Sequence, residues 1–164
     1  MLFVLSSGFK TNTKVDTNAK IKAVFIYNFT KYIEWPPSYK EGEFIIGIIG
    51  ETPLYSELIK MTETKKVANQ ALEVRKFSSL AELSKCHILY VSKTESANLA
   101  DIIKKLRTNS TLLITEETGL VEKGAGINFI IKDNRQKFEL NKGNVERYKL
   151  KVSSSLEALA FTVK

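Results

Sequence analysis

Cys86 and His87 are the adjacent residues in this sequence that most readily suggest chemistry, because thiolates and imidazoles bind metals and form nucleophile–base pairs. They are the chain's only cysteine and only histidine, and they open an apolar stretch, CHILYVS, that is typical of a buried strand. Adjacent residues of a strand point to opposite faces, so these two side chains cannot share a metal ion or a proton. We therefore expect a buried structural Cys86, a strand-end His87, no metal site and no intramolecular disulfide.

Polar and glycine residues at the ends of predicted strands suggest a second kind of site. Gly50 and Glu51 follow the first strand, Lys93 follows a central strand, and Thr115 and Glu116 end the next one. The carboxyl ends of parallel strands meet at one edge of a sheet, where α/β domains bind ligands, so these five residues form a candidate small-molecule pocket. A dinucleotide site is disfavoured because the first loop has one glycine where three are needed. A phospho-receiver is disfavoured because the central strand end lacks an aspartate.

The elements that would position these residues alternate between strands and helices. Residues 43–50, 86–92 and 110–117 are apolar runs typical of strands covered on both faces, and amphipathic helices lie between them. The runs at 127–132 and 136–142 are joined by three residues, too few for a crossover helix, so they must form an antiparallel hairpin. We predict an α/β three-layer sandwich. It has a mixed, mostly parallel sheet of about six strands, an antiparallel hairpin at its C-terminal edge, and helices on both faces.

Length and charge limit the remaining function classes. The chain has 164 residues, enough for one domain, which we place at residues 15–164. Residues 1–14 are expected to be the remnant of a secretory leader or an N-terminal tail, because an apolar run is followed by small residues. The net charge is +7, but the basic residues form short scattered doublets, which disfavours nucleic-acid binding. No other stretch approaches the roughly 20 apolar residues of a membrane span.

The first predicted helix is unusually aromatic. KAVFIYNFTKYIEWPP, residues 22–37, contains five aromatic side chains, and the helix is expected to begin at Asp16 or Thr17 and to run to Glu34. The two prolines that follow would end it. A helix that is apolar almost all round should have more than one neighbour.

Two explanations of this helix remain open. In the first, it packs between the sheet and the C-terminal helix of its own chain, and a buried Asn28 satisfies a backbone group. In the second, Tyr27, Trp35, Pro36 and Pro37 form a surface for a receptor or a second subunit. We favour the first for the body of the helix and the second for Trp35, since tryptophan beside proline at the end of an element is a common interface anchor.

Several strings occur in the order found in the YfiR family of bacterial periplasmic proteins, which the chain resembles over about residues 18–163. The strings are KAVFIYNFTKYIEWP, FIIGIIG, CHILYVS, LLITEETG, GAGINFII, KFELN and YKLKVSSSLEALA. The aromatic helix and GAGINF are the most specific of them. Within the matching strings we take Asn28, Phe29, Cys86, Asn128 and Phe129 as structural motif residues.

The resemblance implies a regulator without enzymatic activity or cofactors. The best-known member of the family is a periplasmic repressor that binds the sensor region of a membrane-anchored diguanylate cyclase, which limits cyclic di-GMP and biofilm formation. Family members form dimers, so a homodimer in the periplasm is expected. The characterised repressor has paired cysteines, and here Cys86 matches one of them without a partner. The alternative function is a small-molecule sensor with its pocket at the strand ends.

Overall fold

The computed structural model of the chain describes residues 16–164, so the predicted leader remnant or tail at residues 1–14 lies outside the described residues. The helices and strands, in chain order, are α1 (Thr17–Tyr32), β1 (Ile33–Glu34), β2 (Phe44–Ile49), α2 (Leu54–Thr62), β3 (Lys66–Val67), β4 (Gln70–Phe77), β5 (Ile88–Val91), α3 (Leu99–Leu106), β6 (Leu112–Thr115), β7 (Ile127–Lys132), β8 (Arg135–Leu140), α4 (Lys142–Arg147), β9 (Lys151–Val152), α5 (Ser154–Leu159) and β10 (Thr162–Val163). Short 3₁₀ helices occupy Pro37–Tyr39, Leu80–Glu82 and Lys93–Asn98.

Eight of the strands form one mixed sheet in the order β10-β8-β7-β6-β5-β2-β4-β3. The five adjacent strands β7, β6, β5, β2 and β4 run parallel to one another, whereas the pairs β7–β8 and β3–β4 are antiparallel. The central strands β5 and β6 are buried along their whole length, as their continuous apolar runs predict. The predicted α/β class and the mixed sheet are confirmed.

The C-terminal edge of the sheet differs from the prediction. The hairpin of β7 and β8 forms as expected, but β8 is not the edge strand, because β10 pairs with it in parallel. At the opposite edge β3 adds a further short strand beside β4. Both added strands have two residues each, too few for hydrophobic alternation to identify them.

Helices cover both faces of the sheet, which gives three layers. The crossover from β2 through α2 to β4 and the crossover from β5 through α3 to β6 move along the sheet in opposite directions. Since such crossovers are right-handed, α2 and α3 lie on opposite faces. Helix α1 packs beside α2 and places Phe25 and Phe29 against Phe129 and Phe138 of the hairpin, with the rings of Phe29 and Phe138 5.0 Å apart.

Helix α1 begins where the sequence predicts, but it ends at Tyr32, two residues before the predicted end at Glu34. The side chain of Asp16 accepts a hydrogen bond from the backbone N–H of Ala19 at 3.0 Å and so caps the helix. The predicted end at Glu34 is wrong, because Ile33 and Glu34 form β1, which pairs antiparallel with β9. β-branched Ile33 and the proline at position 36 both favour extended backbone, and pairing with β9 satisfies the peptide groups.

Candidate functional site

The chain that leaves α1 enters a closed aromatic cluster, which we call the exit cluster and which consists of Trp35, Tyr39, Phe44 and His87. Trp35 is 5% exposed, and its indole N–H donates to the carbonyl oxygen of His87 at 3.1 Å. Its ring meets that of Phe44 edge to face, with centroids 5.1 Å apart. The hydroxyl of Tyr39 accepts the backbone N–H of Ser110 at 2.9 Å.

His87 is held in one neutral form by its two ring nitrogens. Nδ1 accepts the backbone N–H of Ile45 at 3.0 Å, so the proton is on Nε2, which lies 2.7 Å from the carbonyl oxygen of Tyr39 and donates to it. Burial lowers the pKa of His87 below its usual value, and the charge of Lys85 acts in the same direction. The imidazole is therefore fully used in holding loops against β2 and is not free to act as a base.

Trp35 is buried and so is not an exposed anchor by itself, but it borders a hollow of about 400 Å³, and a partner contact through it stays a prediction. Because α1 ends at Tyr32, β1 carries the chain inward and the indole becomes part of the core. Around it, Pro36 is half-buried and Pro37 is exposed, while Tyr27 is half-buried with its hydroxyl donating to the carbonyl oxygen of Lys66 at 3.0 Å. A partner contact through these three residues stays a prediction.

Exposed apolar side chains lie instead on the side of α1 that carries Ile21, Val24 and Asn28, which we call the outer face. Ile21 is 36% exposed and Val24 is 49% exposed, and with Asn28 they line a shallow hollow of about 310 Å³. Asn28 is half-buried, not buried as expected, and its Oδ1 accepts from the ammonium group of Lys31 at 3.3 Å. Lys20 also borders the hollow, so the outer face is apolar at its centre and basic at its edges.

The five residues of the predicted strand-end pocket do not line one cavity. Gly50 has φ +88°, and a Cβ there would lie 2.1 Å from the hydroxyl of Ser92, so the position requires glycine. Gly50 and Glu51 line a hollow of about 300 Å³, and Glu116 lines a different one. Glu51 forms an exposed ion pair with Lys76 at 2.8 Å. The buried Thr115 donates to Oδ1 of Asn128 at 2.7 Å.

Lys93 and Glu116 are joined by a hydrogen bond. Oε1 of Glu116 accepts the backbone N–H of Lys93 at 3.1 Å, and Oε2 forms an ion pair with Lys22 of α1. The buried hydroxyl of Tyr90 lies near Glu116 and Thr52 but makes no hydrogen bond of normal geometry with any of the described residues. Burial, and next the carboxylate of Glu116, raise the pKa of Tyr90 above its usual value.

The remaining motif residues lie in the core. Phe29, Cys86, Asn128 and Phe129 are all at most 2% exposed. Asn128 donates to the carboxylate of Glu139 at 3.1 Å, which links β7 to β8 through side chains. Burial raises the pKa of Cys86 to about 12, so the thiol stays protonated at neutral pH and is a poor nucleophile.

Residues 16–164 contain no cluster of three or more metal-ligating His, Cys, Asp or Glu side chains. Within the same range, none of the helices has both the length and the apolar character that a membrane span requires.

Two solved structures resemble the fold. One is a conserved domain protein from Vibrio cholerae O1 biovar El Tor, with a TM-score of 0.58 and 12% identity over 89% of this chain. The other is the ABC domain of Streptococcus pneumoniae in complex with L-Trp, with a TM-score of 0.59 and 14% identity over 90% of this chain. The chain spans 60% of the length of each, and at these identities the likeness concerns the fold alone.

A search of curated proteins found no match. The model of the DUF4154 family, described as YfiR/HmsC-like, matches residues 19–160, which is nearly all of the part that the structure describes. The matched range includes α1 from Ala19 onward, the whole exit cluster and the β7–β8 hairpin. The chain therefore belongs to the YfiR/HmsC-like family.

Proposed function

We propose that this protein is a non-enzymatic periplasmic regulator that binds a membrane-anchored signalling protein through the outer face of α1. In line with its family, the partner would be a diguanylate cyclase, and binding would restrain cyclic di-GMP synthesis and biofilm formation. The observation that carries the proposal is the exposure of Ile21 and Val24 on a helix whose other sides are packed. Exposed, adjacent apolar side chains bordered by polar residues are typical of protein interaction sites.

The surroundings of this hollow define the chemistry of the partner surface. The ammonium group of Lys31 lies 4.9 Å from the ring centroid of Tyr27, and that of Lys65 lies 5.7 Å from the same ring. Lys20 lines the hollow itself, one turn before Val24. An apolar centre with cations beside it fits a periplasmic sensor surface with apolar side chains among Asp and Glu residues.

The chain's reactive side chains support binding rather than catalysis. Both nitrogens of His87 are hydrogen-bonded to backbone groups, those of Ile45 and Tyr39, and Cys86 is a buried, protonated thiol. An enzyme would need a base or nucleophile that can reach a substrate. A regulator needs only an interface that distinguishes two states of its partner.

The test replaces one residue of the outer face with a negatively charged residue, because the proposed partner surface is also negatively charged. Val24→Glu should abolish repression, because it buries a carboxylate in the interface and opposes the acidic groups of the partner. Val163→Glu is the matched control, since Val163 is 45% exposed on the edge strand β10. Each variant is returned to a strain in which the gene is deleted, and cyclic di-GMP is measured.

We expect wild type and Val163→Glu to lower cyclic di-GMP to the same level, and Val24→Glu to leave it high. Circular dichroism of the purified variants checks that both are folded. Full repression by a folded Val24→Glu variant would exclude the outer face as the partner site. The oligomeric state of the same samples decides whether the face instead joins two copies of this chain, in which case Val24→Glu would convert a dimer to a monomer.

A further inference from the structure

A groove at the other end of the α1 region has the form of a small-molecule site. It has a volume of about 410 Å³ and lies between the N-terminal half of α1, the β7–β8 hairpin and the segment that enters β10. We call it the hairpin groove. Its walls include Lys22, Glu116, Phe129, Ile131, Gln136 and Phe161. The volume is within the range of about 300–1,000 Å³ that is usual for ligand pockets.

The apolar part of the hairpin groove is open to solvent. Ile131 is 55% exposed and Phe161 is 44% exposed, and both border the groove above the buried ring of Phe129. Two large apolar side chains converge on one concavity, so an apolar body placed there would remove both from water. Gln136 fixes this wall because its amide donates to the carbonyl oxygens of Ile130 and Lys137 at 2.9 and 3.2 Å.

The polar part of the hairpin groove carries excess positive charge. The ammonium groups of Lys132 and Lys137 lie 5.9 and 5.0 Å from the ring centroid of Phe161. Neither forms an ion pair with a carboxylate of residues 16–164. Glu116, the acidic residue in the wall, is already neutralised by Lys22. Lys132 lines the groove, whereas Lys137 does not line it but approaches the ring of Phe161, which does. An anionic group at the apolar wall would therefore meet the uncompensated charge of Lys132, and that of Lys137 would add to the attraction.

We propose that the hairpin groove binds a small amphipathic organic anion, with its apolar body against Ile131 and Phe161 and its head group near Lys132 and Lys137. The proposal does not depend on the partner of the outer face. Selective binding needs both the apolar wall and the lysines. The apolar wall alone would accept any apolar molecule, and surface lysines alone would give weak, salt-sensitive binding.

The test uses three probes with the same eight-carbon tail and different head groups, namely octanoate, 1-octanol and octylammonium. Binding is measured by calorimetry below the aggregation limit of each probe, and the site is located by NMR chemical-shift changes. Octanoate should bind at least about tenfold more tightly than the other two. Its shift changes should cluster on β7, β8 and β10.

Two pairs of lysine substitutions separate the groove from general basic charge. Lys132→Ala with Lys137→Ala should weaken octanoate about tenfold and leave 1-octanol unchanged. Lys104→Ala with Lys105→Ala removes the same charge from the exposed side of α3 on the opposite face and should change neither. Phe161→Ala should weaken octanoate and 1-octanol alike.

Equal affinity for the three head groups, no octanoate binding, or shift changes centred outside the groove would each overturn the proposal. An equal loss of octanoate affinity in the two double-lysine variants would also overturn it, since it would mean that net charge alone attracts the anion. These outcomes leave the cyclic di-GMP result for Val24→Glu unaffected, so the two proposals fail separately.

Discussion

The exit cluster and the hairpin groove lie near opposite ends of α1, which is about 24 Å long, and differ in how their polar atoms are satisfied. In the exit cluster the indole N–H, both imidazole nitrogens and the hydroxyl of Tyr39 all have partners at 2.7–3.1 Å. Near the groove, the Tyr90 hydroxyl has none among the described residues, and two large apolar side chains remain exposed.

This difference separates stability from recognition. A buried polar network that is fully satisfied fixes one arrangement of the chain, whereas open apolar and charged groups have interactions still to make. The aromatic residues most prominent in the sequence, around Trp35, therefore belong to the closed region. The surfaces that we propose for binding other molecules are the outer face of α1 and the hairpin groove, which are less conspicuous in the sequence.

The largest expected effect is the loss of stability when the side chain of Trp35 is removed from the exit cluster. Trp35→Ala should lower the free energy of unfolding by about 3–5 kcal/mol, because it removes a buried ring and one of the two N–H groups that donate to the carbonyl oxygen of His87, the other being the backbone N–H of Leu112. Val24→Ala, on the exposed outer face, should change it by at most about 0.5 kcal/mol. Urea unfolding followed by circular dichroism measures both. Similar losses in the two variants would mean that the exit cluster is not the more tightly packed region.

A matched pair of Tyr→Phe substitutions tests the polar atoms alone. Tyr39→Phe should cost about 1–3 kcal/mol, because the backbone N–H of buried Ser110 loses its acceptor. Tyr90→Phe should cost at most about 0.5 kcal/mol or stabilise the protein, since the hydroxyl that it removes has no partner among residues 16–164. The same unfolding measurement serves both variants. A loss at Tyr90 as large as that at Tyr39 would show that its hydroxyl is bonded in solution.

Much of the fold could be predicted because continuous apolar runs and short connections carry strong signals. The runs at β2, β5 and β6 identified buried parallel strands, and the three-residue connection required the β7–β8 hairpin. The two-residue strands β3 and β10 carry no periodic signal. Glu34 was assigned to the helix because the local pattern cannot show that β9, more than 100 residues later, pairs with β1.

The sites were harder to predict, because exposure depends on packing over long sequence distances. Trp35 resembles an interface anchor from its neighbours in the chain, but Phe44 and His87 enclose it. At 100° per residue Val24 lies outside the arc formed by Phe25, Ile26 and Phe29, and this position is the signal that the sequence offers for the outer face. The hairpin groove had no such signal, since Lys22, Ile131 and Phe161 come from three separate parts of the chain.

The smallest expected effect is the pH dependence that His87 confers on the exit cluster. Its pKa is lower in the folded state, so the unfolded chain binds a proton more readily below the ordinary value of about 6.5, and stability should fall as the pH drops through that range. One proton limits the slope to about 1.4 kcal/mol per pH unit, and between pH 7 and pH 6 the loss should be below about 1 kcal/mol. His87→Gln, which removes the chain's only imidazole, should be less stable at pH 7 but should show a flatter dependence from pH 7 to pH 5. Urea titrations at each pH compare the two slopes, and parallel slopes would mean that carboxylates, not the buried imidazole, set the acid sensitivity.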